Sequence, residues 1–229
     1  MAHRLSKTEK ALTWPEIKLK TNLAAKKLKG SHLFTVSDFL SPAECEAFIK
    51  SAESRGFGHQ GSLGPKHGEA FRDNDRISVH DTILAEKIWK AGLCNFFLDI
   101  KVQGKSAVGL NPNIRFYKYK VGQRFGQHID ESVDLGGGNK TEYTLLIYLS
   151  GGVRCKGNKI QGSKHNSSEQ HLVGGETVFY APRKGIVAEV VPIAGMALFH
   201  IHGDECMLHE ARVVSNGVKY VLRSDVIFA

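Results

Sequence analysis

The sequence lacks any apolar run long enough to span a membrane. Its longest apolar stretches, such as residues 143–149, are far shorter than the roughly 20 residues that a membrane helix requires. The basic N-terminus leads into no apolar region of the kind found in signal peptides. We therefore expect a protein that is neither secreted nor membrane-spanning, that has no membrane partner, and that is located in the cytoplasm or the nucleus.

Cysteine is scarce, and its spacing excludes the common cysteine motifs. The four cysteines, Cys45, Cys94, Cys155 and Cys206, are far apart and form no Cys-x-x-Cys pair. This spacing argues against a zinc ribbon or a redox motif, and it predicts free thiols in a reducing compartment. A chain of 229 residues buries roughly 70% of its unfolded surface. Because such a core folds without a structural metal, we expect any bound metal to be functional.

Acidic residues are few at the N-terminus, where most of the net charge lies. The formal net charge is +8, and residues 1–30 carry eight lysine or arginine residues against two glutamates, which is +6. We predict a basic N-terminal tail over residues 1–30 and one domain over residues 31–229. The tail has two open interpretations: a solvated leader, or an electrostatic anchor for an acidic partner or nucleic acid. It lacks interleaved aromatic residues, so it supports nucleic-acid binding only weakly.

Two helices are predicted in the first half of the domain. Ser41, Pro42 and Glu44 form a capping pattern before a helix with apolar residues at helical spacing. Asp81 is placed to cap a second helix that continues through DTILAEKIWKAGLCNFF. We interpret residues 31–112 as helical support for the rest of the domain.

From residue 113 onward the pattern changes to short β-like runs separated by glycine or asparagine. The runs include NIRFYKY, TEYTLLIYLS, ETVFYAP, MALFHIH and VKYVLRSDVIF. Many short strands with turn signals between them are typical of a sandwich or barrel of the jelly-roll type. The predicted fold class is mainly β with flanking helices (α+β), a double-stranded β-helix or jelly roll whose core is residues 113–229.

Two His-x-Asp pairs are candidates for metal binding: His128 with Asp130, and His202 with Asp204. Residues i and i+2 of a strand point to the same face, so His128 and Asp130 can present an imidazole and a carboxylate to one ion. Gly203 suggests a turn in the second pair, which competes for the ligand role. Two histidines and one carboxylate form the facial triad of non-haem Fe(II) oxygenases. His209 is a candidate third ligand, and solvated or core histidines are the alternative interpretation.

The order of these motifs resembles one family. The segments YKVGQRFGQHID, TEYTLLIYLSGG, GGETVFY and LHEARVVSNGVKYVLRSDV are similar to the catalytic half of the 2-oxoglutarate- and Fe(II)-dependent dioxygenases, in the prolyl 4-hydroxylase-like branch. The resemblance covers residues 113–228. Each motif is weak alone, but their order and spacing together are specific.

The resemblance implies a role for individual residues. It makes His128, Asp130 and His209 the catalytic iron ligands. It implies binding of the co-substrate by the residues Tyr119, Thr144, Lys219 and Arg223, with Lys219 on the C5 carboxylate of 2-oxoglutarate. Two roles stay open for Arg223: a share of that carboxylate, or a pair with an acidic side chain. His200 and His202 are expected near the metal or in a loop.

The implied activity is hydroxylation of a substrate C–H bond, with a prolyl residue of a protein as the candidate target. The implied cofactors are Fe(II), 2-oxoglutarate, O₂ and ascorbate as the reductant. The sequence lacks the separate peptide-binding domain of collagen-type prolyl hydroxylases, so the substrate and the oligomeric state stay open. The alternatives are an oxygenase that acts on nucleic acid or a small molecule, and a non-catalytic jelly-roll binding module.

Overall fold

The structure is a computed structural model, and it describes residues 13–61, 69–154, 160–161, 171–183 and 185–229. Two α-helices and two 3₁₀ turns accompany the strands. The helices are α1 (Pro42–Arg55) and α2 (Thr82–Lys90), and the 3₁₀ turns are Leu93–Phe97 and Gly203–Glu205. None of the helices in these ranges is long and apolar enough to cross a membrane.

Both helices begin where the sequence predicts. The hydroxyl of Ser41 accepts a hydrogen bond from the Glu44 backbone N–H, and the Glu44 carboxylate accepts one from the Ser41 N–H, which completes a capping box at α1. The Asp81 carboxylate accepts from the Leu84 N–H at 2.9 Å and so caps α2. The second helix ends at Lys90, earlier than the sequence pattern suggests, and the apolar segment after it forms the 3₁₀ turn Leu93–Phe97.

Most elements in the described part of the chain are β-strands, and they occur from Ala25 to Phe228. They are β1 (Ala25–Lys29), β2 (Leu33–Val36), β3 (Gly58–Gly61), β4 (Arg72–His80), β5 (Lys101–Val102), β6 (Lys105–Leu110), β7 (Asn113–Tyr119), β8 (Arg124–His128), β9 (Asp134–Gly136), β10 (Asn139–Tyr148), β11 (Val153–Arg154), β12 (Ile160–Gln161), β13 (Val173–Gly174), β14 (Thr177–Ala181), β15 (Gly185–Val190), β16 (Ala197–Ile201), β17 (Leu208–Ala211), β18 (Val214–Asn216) and β19 (Lys219–Phe228).

The main sheet is antiparallel and nearly closed. Its strand order is β1-β2-β16-β10-β19-β7-β4-β8-β17-β14-β15, and the two edge strands β1 and β15 contact each other. Such closure is characteristic of a jelly-roll barrel, so the predicted mainly β fold with flanking helices is confirmed. Residues 31–112 supply more than helices, because β2 and β4 are internal strands of this sheet.

Two apolar clusters form the core. The larger packs α1 and α2 against one face of the sheet and includes Phe48, Ile88, Phe116 and Phe199. The smaller lies within the barrel and contains aromatic residues that adjoin polar ones. The outer face of the strands is therefore buried against the helices. The side chains of the candidate site lie on the inner face, within the barrel.

The structure differs from the expected N-terminal tail at residues 13–30. Trp14 stacks on Phe116 with ring centroids 4.5 Å apart. The Lys18 backbone N–H and the Lys20 ammonium both donate to the Glu44 carboxylate. Residues 25–29 form the edge strand β1. The sequence does not predict these contacts, because the segment is rich in lysine and its isolated apolar residues, such as Trp14, form no periodic pattern. Residues 1–12 lie outside the described residues.

Trp14 is therefore expected to stabilise the domain. We expect Trp14→Ala to lower the free energy of unfolding by about 2–3 kcal/mol, because the variant loses a partly buried aromatic ring that stacks on the core. Urea denaturation of the full chain measures this. Leu19→Ala is the matched control: Leu19 is 70% exposed, and its loss should cost less than about 0.5 kcal/mol. Equal effects of the two substitutions would contradict the packed N-terminal segment.

The cysteines agree with the prediction of free thiols as far as they are described. Cys45, Cys94 and Cys206 are unpaired, and Cys155 lies outside the described residues. Cys45 is buried in the helix–sheet core. Cys206 directly follows the 3₁₀ turn Gly203–Glu205, close to the residues of the candidate site.

Candidate active site

Strand register brings the sequence-predicted metal ligands together. His128 is the last residue of β8, and β8 pairs with β17 so that His128 lies opposite His209. The centroids of the two imidazole rings are 4.2 Å apart. Asp130 follows β8 and is buried beside both rings. Two segments distant in the chain therefore deliver three ligating side chains to one point inside the barrel.

The geometry of these three side chains suits one metal ion. Nε2 of His128 lies 3.8 Å from Oδ1 of Asp130, and Nε2 of His209 lies 3.8 Å from Oδ2. The three ligand atoms all lie within 4.8 Å of one another. Two imidazoles and one carboxylate on one side of an ion are the donor set that non-haem Fe(II) uses, and the remaining coordination positions stay open.

Backbone carbonyls orient both histidines. Nδ1 of His128 donates to the Gly126 carbonyl at 2.8 Å, and Nδ1 of His209 donates to the Met207 carbonyl at 2.9 Å. Each ring therefore presents the lone pair of Nε2 to the site. Burial lowers the pKa of His128 to about 3 and also lowers the pKa of His209. Both imidazoles are neutral at physiological pH, which is the state that binds a metal.

Two donors hold the Asp130 carboxylate. Oδ2 accepts a hydrogen bond from the Thr144 hydroxyl at 2.7 Å. The same oxygen forms an ion pair with Arg223 Nη2 at 3.0 Å. Burial by itself would raise the pKa of Asp130, but the Arg223 guanidinium holds it well below its usual range. The lowered pKa favours the carboxylate form of Asp130, which is the form that binds a metal.

Arg223 lies beside the predicted metal ligands, at one end of the pocket. Besides Asp130, its guanidinium contacts the Asp225 carboxylate at 3.3 Å and the Thr144 hydroxyl at 3.2 Å. Asp225 is also paired with Arg115 at 2.9 Å. The guanidinium is thus shared between two carboxylates, which is the acidic pairing that the sequence left open for this residue.

Lys219 lies at the other end of the same pocket. It is 2% exposed, it pairs across strands with Tyr119, and its Nζ donates to the Gly175 carbonyl at 2.6 Å. Gly175 has a φ of +72°, and a Cβ there would come within 3.0 Å of the Lys219 side chain, so this approach requires glycine. Among the described residues, no carboxylate lies within ion-pair distance of the Lys219 ammonium.

Sequence reasoning missed Tyr148 and Thr177, which form a hydrogen-bonded pair beside Lys219. Tyr148 is fully buried, its ring centroid is 5.5 Å from Lys219 Nζ, and its hydroxyl donates to Thr177 Oγ1 at 2.7 Å. Tyr148 lies four residues after Thr144 on β10, so strand periodicity would have placed both residues on one face. Thr177 begins β14 and carried no comparable signal.

The second His-x-Asp pair lies apart from the predicted metal ligands. His202 Nε2 is 2.8 Å from the Thr144 hydroxyl, and His202 Nδ1 lies 3.2 Å from the Thr141 carbonyl. Asp204 is exposed in the 3₁₀ turn. The groups of potential metal ligands found within the described ranges contain neither of these residues. His200, the third histidine of this segment, points into the site, where its ring centroid is 4.4 Å from that of His209.

Comparison with known proteins gives matches among solved structures alone. No protein-family model and no curated protein matches the chain. A viral collagen prolyl hydroxylase from Paramecium Bursaria Chlorella virus-1, solved as a 2OG complex, has a TM-score of 0.55 at 20% identity over 87% of this chain and 97% of its own.

Two further prolyl hydroxylases have the same architecture. The Trichoplax adhaerens prolyl hydroxylase, in complex with a hypoxia inducible factor peptide fragment, has a TM-score of 0.56 at 15% identity over 86% of this chain and 84% of its own. A prolyl-4-hydroxylase from Pseudomonas putida has a TM-score of 0.51 at 13% identity over 85% and 91%. The chain therefore has the fold of the prolyl hydroxylases, with a two-histidine, one-aspartate cluster inside its barrel.

Proposed function

We propose that this protein is an Fe(II)- and 2-oxoglutarate-dependent dioxygenase that hydroxylates a C–H bond of its substrate, with a prolyl residue of a protein or peptide as the favoured target. One observation carries the proposal: the three ligands His128, Asp130 and His209 share a buried pocket with an ammonium, Lys219, that has no carboxylate partner among the described residues. The pocket thus offers a metal-binding end and an anion-binding end.

The donor set fits Fe(II), and this chain's residues divide the work of holding it. His128 and His209 would each supply Nε2, and Asp130 would supply a carboxylate oxygen. Thr144 and Arg223 both donate to Oδ2 of Asp130, so they orient the carboxylate and leave Oδ1 free of these two donors. Bound iron, with 2-oxoglutarate and O₂, would supply the oxidising power for hydroxylation, and 2-oxoglutarate would leave as succinate and CO₂.

Lys219 is the residue that we assign to the C5 carboxylate of 2-oxoglutarate. A buried carboxylate needs a compensating cation, and Lys219 has its Nζ among the aromatic rings of Tyr119 and Tyr148, 5.5 Å from each centroid. Those rings exclude water, which strengthens the ion pair. The Tyr119 hydroxyl is a further candidate donor to the co-substrate. Arg223 has a weaker claim on this carboxylate because Asp130 and Asp225 already engage its guanidinium.

The open side of the site is where we place the prime substrate. The Phe125 ring stacks on the His128 ring with centroids 3.7 Å apart. The Arg72 guanidinium lies over the same Phe125 ring, 3.9 Å from its centroid. This aromatic ring with an adjacent guanidinium suits a peptide segment better than a highly charged nucleic-acid backbone alone.

The proposed activity can be tested with a proline-containing peptide library. Purified protein is incubated with Fe(II), ascorbate, 2-oxoglutarate and O₂, and peptides are analysed by mass spectrometry for the gain of one oxygen atom on proline. Ascorbate is included as the reductant that keeps the iron as Fe(II). We expect succinate formation to increase with an accepted peptide. Succinate formation without oxygenation of any peptide would remove the prolyl target and would direct the search to nucleic acid and small molecules.

The charge state of Lys219 predicts a pH dependence of co-substrate binding. Burial lowers the pKa of Lys219 to about 7, and the Glu176 carboxylate opposes this effect. A bound carboxylate favours the ammonium form and raises this pKa, so binding takes up a proton above pH 7. The affinity for 2-oxoglutarate should therefore fall by up to about tenfold per pH unit above that value.

Calorimetric titration of 2-oxoglutarate into the Mn(II)-loaded protein, between about pH 6.5 and 9, measures this dependence. Lys219→Arg is the matched control, because arginine keeps its charge throughout this range, and its binding should change little with pH. An affinity of the wild-type protein that is constant over the range would show that Lys219 does not bind the co-substrate as a titrating cation.

A further inference from the structure

His200 is a buried histidine whose ring packs on Phe179, with centroids 5.3 Å apart. It lies on the internal strand β16 opposite Thr144 and is 1% exposed. Neither of its ring nitrogens makes a hydrogen bond to any residue in the ranges that the structure describes. Nε2 lies 3.5 Å from Oδ2 of Asp130. Because an unpaired buried polar group costs free energy, these nitrogens point to a ligand.

Cys206 brings a sulfur atom to the same place. Its Sγ accepts a hydrogen bond from the Asp130 backbone N–H at 3.3 Å. The Cys206 sulfur and a ring nitrogen from each of His200 and His209 all lie within 4.8 Å of one another. Donors around one tetrahedral zinc ion are separated by about 3.3–3.6 Å. Closing the cluster thus requires a movement of about 1 Å, which is small for a cysteine outside a strand.

We propose that His200, Cys206 and His209 form a second metal site, which binds Zn²⁺ in competition with the iron of the proposed function. His209 belongs to both ligand sets. Its Nδ1 donates to the Met207 carbonyl, so its Nε2 alone is available and can bind one ion at a time. Zinc in this second site therefore removes one of three iron ligands and inhibits the enzyme.

The chemistry of the donors selects the ion. A set of two imidazoles and one thiolate suits zinc, with water in the fourth position, whereas the set that contains Asp130 is harder and suits Fe(II). On binding, the Cys206 thiol gives its proton to solvent and a Zn–S bond forms, with no change in oxidation state. The competition rests on the proposed iron site, but the zinc site itself does not.

Cobalt(II) is the probe that reports the sulfur ligand directly, because cobalt bound to a thiolate has a ligand-to-metal charge-transfer band in the near ultraviolet. We expect titration of the metal-free protein with Co²⁺ to give this band with one equivalent bound. Cys206→Ser should abolish the band, and His200→Gln should weaken it. Cys94→Ser is the matched thiol control, since Cys94 lies in the 3₁₀ turn Leu93–Phe97, and it should leave the band unchanged.

Asp130→Ala separates the two metal sites. It removes an iron ligand and none of the zinc ligands, so the cobalt band should persist in this variant. Absence of the band in Asp130→Ala, or its persistence in Cys206→Ser, would overturn the proposal. In succinate assays we expect Cys206→Ser to raise the half-inhibitory Zn²⁺ concentration at least about tenfold, and an unchanged value would also overturn it. If wild-type protein forms no succinate, the proposed function fails, and the cobalt titration still decides the zinc site.

Discussion

Replacement of His128, Asp130 or His209 by alanine is expected to weaken Fe(II) binding by more than about 100-fold, which exceeds the usual effect of losing an outer partner of a metal ligand. Each residue supplies one of three protein ligands whose donor atoms lie within 4.8 Å of one another. The three variants should also lose 2-oxoglutarate turnover. Metal analysis after equilibrium dialysis against Fe(II) under anaerobic conditions measures the binding.

His202→Ala is the matched control for these substitutions. His202 is also a buried histidine of a His-x-Asp pair, and it contacts Thr144, but it belongs to neither group of potential metal ligands found among the described residues. It should keep most of its iron. Full iron occupancy in His209→Ala together with loss in His202→Ala would show that the distal ligand is His202. Thermal unfolding of each variant separates loss of metal from loss of fold.

Lys219→Ala should raise the 2-oxoglutarate concentration needed for half-maximal turnover at least about 30-fold, while iron binding persists. The reason is that a carboxylate left unpaired in a buried site costs roughly 2–5 kcal/mol. Titration of 2-oxoglutarate with succinate as the readout measures the effect. Lys219→Arg keeps the positive charge and should recover part of the affinity.

Arg223→Ala should have the opposite profile. Because Arg223 holds Oδ2 of Asp130 at 3.0 Å, its loss should weaken iron binding by about 10–100-fold and should change the 2-oxoglutarate requirement less than Lys219→Ala does. Comparison of the two variants at saturating iron isolates the effect of each substitution on the 2-oxoglutarate requirement. A larger increase in the 2-oxoglutarate requirement for Arg223→Ala would move the anchor to Arg223.

Local sequence patterns predict the parts of this fold that depend on near neighbours. The capping residues Ser41 and Asp81 predict the starts of both helices, because a cap is satisfied within three residues. The alternating runs after residue 113 predict the barrel strands. His128 and Asp130 are recognisable as a pair because a strand presents residues i and i+2 on one face.

What the sequence does not predict depends on long-range strand register. The pairing of His128 with His209 and of His200 with Thr144 is decided by how distant strands align, and no local pattern encodes that alignment. For the same reason the role of residues 13–30 was not visible, since Trp14 gains its partner, Phe116, only in the folded domain. The proximity of Cys206 to His200 is likewise not predicted by the sequence.

The central claim is that the protein has a catalytic iron centre that consumes 2-oxoglutarate. The most direct test compares succinate formation by the wild-type protein and by Asp130→Ala, prepared in the same way. Anaerobic protein is loaded with Fe(II) and 2-oxoglutarate, its iron content is determined, and O₂ is then admitted. We predict succinate from the wild-type protein when Fe(II), 2-oxoglutarate and O₂ are all present, and none from Asp130→Ala. Equal succinate from both proteins, or none from fully iron-loaded wild-type protein with the peptide library present, would contradict the account.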